Sequence, residues 1–230
     1  MKNLQKMGGI AALYEAAAYI VAMVGFLVVV DVAGVADPVQ QVTLLAENQV
    51  FLTILYLIIY VLWGFFMVIL SLALYERLKS GAPTIAKMAA AFGIIWAGLV
   101  IASGTLYNLG MATVVDLYGT DPAQAGTVWL TIDTVIQGLS GTEFVGSTWI
   151  LLVSWAALRG GEFSKVMNYL GIVIGLAGLL TVVPALAMMA FIFGLGQIVW
   201  FIWLGIVMLR SRQSVAVEKP DTYMARPETS

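Results

Sequence analysis

Apolar positions in this chain do not alternate with polar ones; they run on, broken mainly at a few charged or Asp-Pro junctions. Apolar stretches fall at 8–35, 50–75, 88–114, 132–158, 166–186 and 188–209. Each is at or beyond the roughly 20 residues that a helix needs to cross the hydrocarbon of a bilayer. The pattern predicts an all-α, polytopic membrane helical bundle with six transmembrane helices. The fifth and sixth are separated only by a tight turn near Pro184. Residues 1–210 make up this transmembrane domain. The polar stretch Ser211–Ser230, with Pro220 and Pro227, reads as a disordered cytoplasmic tail.

Charge then gives the bundle a direction. All 11 basic residues fall on one predicted side: Lys2 and Lys6, then Arg77, Lys79 and Lys87, then Arg159 and Lys165, then Arg210, Arg212, Lys219 and Arg226. The opposite loops hold acids, namely Asp31, Asp37, Glu47, Asp116 and Asp121. Basic loops stay in the cytoplasm, so both termini are expected there, in the inner (plasma) membrane. Gly34-Val35-Ala36 resembles a signal-peptide cleavage site, but the preceding apolar run is too long and carries Glu15, so it reads as a retained span. Tyr75, Trp129, Trp149 and Trp200 lie near predicted span ends, where interfacial anchoring is the expectation.

Spacing suggests three repeated hairpins. Lys6-Met7, Lys87-Met88 and Lys165-Val166-Met167 open the odd-numbered spans, and Lys87 to Gly93 and Lys165 to Gly171 are both six residues. Arg77 and Arg159 close spans two and four. Asp37-Pro38 and Asp121-Pro122 follow spans one and three, and each reads as an N-cap with Pro in the first turn of a short amphipathic outer helix. Twenty-three glycines, among them Gly93/Gly98, Gly171/Gly175/Gly178 and Gly194/Gly196, are read as close-packing positions between helices.

Composition narrows the chemistry. The chain is 61% hydrophobic and 10% charged, and it has neither Cys nor His. Disulfides, thiolate nucleophiles, imidazole bases, haem axial His and the usual zinc sites are therefore out of reach. No span carries a Lys for a retinal Schiff base, and no phosphate-binding loop or nucleophile elbow is present. No cofactor or metal is expected, and an enzyme would be restricted to carboxylate acid–base work. A net charge of −2 gives no reason to expect nucleic acid.

Polar residues inside the spans are the candidates for function, since charge in a bilayer is costly. These are Glu15, Asn108, Asp133, Gln137 and Glu143. No basic residue lies inside a span, so each acid must be neutral, hydrogen-bonded, bound to a cation, or reach a rim lysine. Glu15 lies roughly 10 Å into span one. Its ordinary explanation is a hydrogen bond to a Tyr, or contact with Lys87 or Lys165. Asn108 and Tyr107 have helix packing as their ordinary explanation. Glu143 supports two readings. With Asp133, Gln137, Ser140 and Ser147 it forms a polar stripe on one helix face, turned to the bundle interior. Alternatively Ser140-Gly141-Thr142-Glu143 is a capping box that starts the helix at Ser140, behind an amphipathic outer helix over residues 127–139.

Leu158-Arg159-Gly160-Gly161-Glu162-Phe163, followed by Asn168-Tyr169-Leu170-Gly171-Ile172-Val173-Ile174-Gly175, resembles a helix junction of a prokaryotic six-helix integral membrane protein family of unknown function. Glu47-Asn48-Gln49-Val50 and Glu143 share the likeness. The resemblance implies a fold and no activity. Two function classes follow from the residues. In one, a polar intramembrane cavity binds or transports a small solute, lipid or cation. In the other, the protein is a non-catalytic accessory subunit whose partners are proteins of a larger membrane complex. The lipid bilayer is a partner in both, and the ligand's identity is unknown.

Overall fold

The computed structural model describes residues 2–30, 34–141 and 143–210, leaving out the side chains of Lys2, Ser140 and Gly141. Asp31, Thr142 and the tail 211–230 lie outside the described residues. Among those described the chain is helical, with no strand. In order these are α1 (Lys2–Val24), α2 (Pro38–Glu47), α3 (Gln49–Tyr56), α4 (Trp63–Leu78), α5 (Pro83–Tyr118), α6 (Pro122–Ile136), α7 (Phe144–Gly160), α8 (Lys165–Leu180) and α9 (Met189–Arg210).

Helix starts follow local capping chemistry. Asp37 accepts from the Val39 N–H at 3.0 Å and Asp121 from the Gln124 N–H at 3.0 Å, each with Pro next in the chain. Ser164 caps α8 through the Met167 N–H at 3.2 Å. The end of α7 needs a left-handed residue, and Gly161 supplies it at φ 69°. A 3₁₀ turn at Pro184–Leu186 separates α8 from α9.

Among the described residues five helices are long and apolar enough to cross a membrane: Asn3–Val29, Gln49–Leu78, Pro83–Tyr118, Pro122–Gly160 and Met189–Arg210. The expected fifth span, 166–186, is shorter than its apolar run. Helix α8 has 16 residues, about 24 Å at 1.5 Å per residue, because Pro184 and the turn before it end it early. The fourth differs too: its helical path begins at Pro122, ten residues before the expected boundary.

The long helices close on themselves. Helix α1 packs on α4, α4 on α5, α5 on α7, α7 on α8, α8 on α9, and α9 returns to α1. Small residues allow these approaches. Gly9 and Gly205 face each other so closely that a side chain on either would meet the other's carbonyl. Gly93 of α5 faces Ser71 of α4 and Trp149 of α7; Gly171 of α8 faces Ser154 of α7 and Trp200 of α9. Gly98 and Gly194, by contrast, face open space.

Inside the ring lies an aromatic core of Trp63, Trp96, Trp149, Phe193, Trp200 and Phe201. Trp149 and Trp200 are therefore not interfacial anchors; they are 0% and 1% exposed. Trp129, 2% exposed, is buried in a second cluster with Val42, Leu45, Tyr56, Tyr107 and Met111. Position along a span sets depth, but rotation about the helix axis decides whether an indole meets lipid or neighbours. The second cluster joins α2, α3 and α6 to the C-terminal half of α5. The Thr43 and Tyr118 hydroxyls bond at 2.9 Å within this layer.

Candidate functional site

Among the described residues three π-helical turns interrupt the helices: Gly25–Val29 after α1, Leu57–Leu62 between α3 and α4, and Gln137–Gly141 after α6. A π turn inserts an extra residue into the helical ladder and re-aims the side chains around it, an arrangement common at functional sites. All three turns contribute lining to one cavity, through Phe26, through Ile59 and Tyr60, and through Gln137. The freed backbone is partly satisfied from α1, since Tyr14 donates its hydroxyl to the Ile58 carbonyl at 2.9 Å. The Tyr14 ring stacks on Phe66 at 4.2 Å.

This first cavity has a volume of about 280 Å³. Its walls are Ala18, Tyr19 and Ala22 of α1, Trp63 of α4, Trp96, Val100 and Tyr107 of α5, and the three π-turn contributions. Glu143 completes it. The Trp63 and Trp96 rings meet edge to face at 4.7 Å, and Tyr19 meets Trp63 in the same manner at 6.4 Å. Gly146, one turn beyond Glu143, leaves the space that the Trp96 indole fills.

A second cavity of about 310 Å³ is lined by Gln41, Tyr56, Trp129 and Asp133. It shares Phe26, Tyr60, Tyr107 and Gln137 with the first, so these four side chains form the wall between them. Tyr107 donates its hydroxyl to Asp133 at 3.0 Å, and the Gln137 amide reaches the same phenol oxygen at 3.4 Å. Tyr56 stacks on Tyr107 with centroids 4.8 Å apart and planes 11° apart. The phenol is thus held between a stacked ring and a carboxylate.

The candidate residues separate into two groups. Asp133, Gln137 and Glu143 come together around the two cavities, with Ser147 fully buried one turn beyond Glu143. Glu143 takes the N-cap position of α7, which begins at Phe144 and not at Ser140, and its side chain caps no backbone N–H. The residues of the capping box lie partly outside the described residues. Glu15 stands apart from that lining: it is 0% exposed, lines neither cavity, and both carboxyl oxygens are buried without a hydrogen-bond partner among the described residues. The expected bond to a Tyr or a rim lysine is not formed, since the neighbouring Tyr14 hydroxyl is turned to Ile58. Asn108 lines neither cavity; its amide makes a long contact, 3.5 Å, to the Thr53 carbonyl, and its side-chain oxygen is buried without a partner among the described residues. Its neighbour Tyr107 joins helices as well, and it also lines both cavities.

Five lining aromatics, Tyr19, Tyr60, Trp63, Trp96 and Tyr107, carry no sequence signal that separates them from core residues. Tyr56, Tyr60 and Trp63 recur at helical spacing on one face, which is also how a buried stripe looks.

Chemically the cavities are aromatic and acidic. Among the described residues no Lys or Arg lines either one. The ion pairs formed among the described residues, Arg77–Glu162 and Lys79–Glu76, lie at helix ends away from them. No group of three His, Cys, Asp or Glu among the described residues could hold a metal ion.

No curated protein and no solved structure matches the chain. A family model described as a domain of unknown function matches residues 10–207, most of the chain, and the protein accordingly belongs to that family, DUF4386.

Proposed function

We propose that this is a multi-pass membrane protein that binds a small solute in the Glu143 cavity. The observation that carries the reading is the convergence of three π turns, from α1, the α3–α4 junction and the end of α6, on that one cavity. Each π turn gives up regular packing, and three meeting at one place set its shape at the expense of helix regularity. Ligand sites are concave, mostly apolar and carry a few placed polar groups. Here Glu143 and Gln137 supply those groups.

The reading includes six spans, with α8 as a short fifth crossing, and cytoplasmic termini in the plasma membrane of a prokaryote. Two features support the spans and their orientation: the one-sided distribution of Lys and Arg, and the place of α8 between α7 and α9 in the ring. A repeat of three hairpins is supported by the matched environments of Gly93, against Ser71 and Trp149, and Gly171, against Ser154 and Trp200.

A thermal-shift screen of the detergent-purified protein against a small-solute library tests the binding reading. A ligand that binds only the folded state raises the transition by mass action. Compounds should stabilise the native chain and fail to stabilise Ala18→Phe, which fills the cavity from a 3% exposed wall position. Stabilisation unaffected by Ala18→Phe, or none from any compound, would overturn it.

A further inference from the structure

We infer that the ligand of the first cavity is a compact organic ammonium ion; this rests on the small-solute reading above. The cavity presents one carboxyl, Glu143, with no cationic side chain among its lining residues. With a neutral solute that carboxyl has no counter-charge in the cavity and must keep its proton, since an uncompensated charge away from water is costly. A cationic solute supplies the counter-charge itself.

The aromatic walls say which cation. Trp63 and Trp96 meet edge to face at 70°, and Tyr19 stands at 76° to Trp63, so the rings form corners rather than a parallel stack. Rings at right angles that line one cavity can offer faces to a cation from different sides, the contact by which ring quadrupoles recognise quaternary and alkylammonium groups. A bare metal cation needs a shell of oxygen ligands, about six or more for calcium and a near-ideal octahedron for magnesium. This cavity offers one carboxylate, one amide and scattered phenols.

Isothermal titration of the purified protein with choline, with its neutral isostere 3,3-dimethylbutan-1-ol, and with potassium chloride at matched ionic strength decides the matter. Choline should bind saturably and at least tenfold more tightly than the isostere, with no heat from potassium. Glu143→Gln, shown to melt and elute like the native protein, should lose tenfold or more of choline affinity and leave the isostere unchanged. The isostere comparison needs no variant and stands even if Glu143→Gln does not fold. Equal affinity for choline and isostere would overturn the ammonium assignment and leave the solute-binding reading intact. So would no choline binding alongside a library compound blocked by Ala18→Phe. Failure of both choline and the library would overturn both.

Discussion

Tyr107 of α5 donates its hydroxyl to Asp133 of α6 at 3.0 Å, and the same ring stacks on Tyr56 of α3, so one phenol ties three helices together at the wall between two cavities. Tyr107→Phe keeps the stack and removes the bond. Side-chain hydrogen bonds between membrane helices contribute about 0.6 kcal/mol on average and up to about 1.7. Because the acceptor is a carboxylate, a loss of about 1–2 kcal/mol is expected. Thermal unfolding in detergent checks it, with Tyr56→Phe as the control that removes a hydroxyl from the same stack.

Gly146 faces the Trp96 ring so closely that an added methyl group must move an indole, and an indole has no flexible end to yield. Gly146→Ala should therefore destabilise by about 1–3 kcal/mol, the usual cost of overpacking. It should also alter tryptophan emission, since Trp96 borders both the core and the cavity. Gly98→Ala, on the same helix as Trp96 but facing open space, should be neutral or slightly stabilising in the same assay.

Glu15 behaves in the opposite sense. Both its oxygens are buried without a hydrogen-bond partner among the described residues, and it lines neither cavity. Replacing an unsatisfied buried polar group by an apolar one of similar shape relieves its desolvation cost of about 1–3 kcal/mol. Glu15→Met should raise the melting temperature and leave choline binding within a factor of two. A lowered melting temperature would show that the carboxyl holds a partner in the folded protein.

Arg77 pairs with Glu162 at 2.8 Å and lies 4.6 Å over the Phe163 ring, clamping the end of α4 to the loop after α7. Beside it Gly81 and Gly160 meet backbone to backbone. The pair is partly exposed, so the ionic part is worth about 0.2–1 kcal/mol, and the ring contact adds about 0.5–1. Arg77→Ala should cost about 1–2 kcal/mol. Part of that loss should vanish at high salt, which an Arg77/Glu162 double-mutant cycle would isolate.

Topology is open to labelling because the protein has no Cys of its own. Thr120→Cys, Val183→Cys and Ser80→Cys place single thiols at exposed positions. In sealed right-side-out vesicles an impermeant maleimide should reach the first two and reach Ser80→Cys only after permeabilisation. Val183 labelling together with Ser80 would mean that α8 does not cross.

The helical, membrane-spanning character of the chain was legible because hydrocarbon forces every backbone polar group into a helix, leaving long apolar runs in the sequence. The caps were legible for a local reason: Asp37-Pro38 and Asp121-Pro122 need only their own next residues to work. Asp133, Gln137 and Glu143 could be picked out because polar groups are conspicuous in an apolar background. Their surroundings could not. Spacing along the chain is one-dimensional, and whether a carboxyl meets a cavity or a sealed core depends on which helices close around it. Glu15 and Glu143 look alike in sequence, yet Glu15 is sealed off and lines neither cavity while Glu143 lines the first. The aromatic walls were hidden for the same reason, since Trp63 or Tyr107 at helical spacing is read equally as core. The π turns depend on tertiary contacts outweighing the regular ladder, a balance among neighbouring helices that no single stretch of sequence contains.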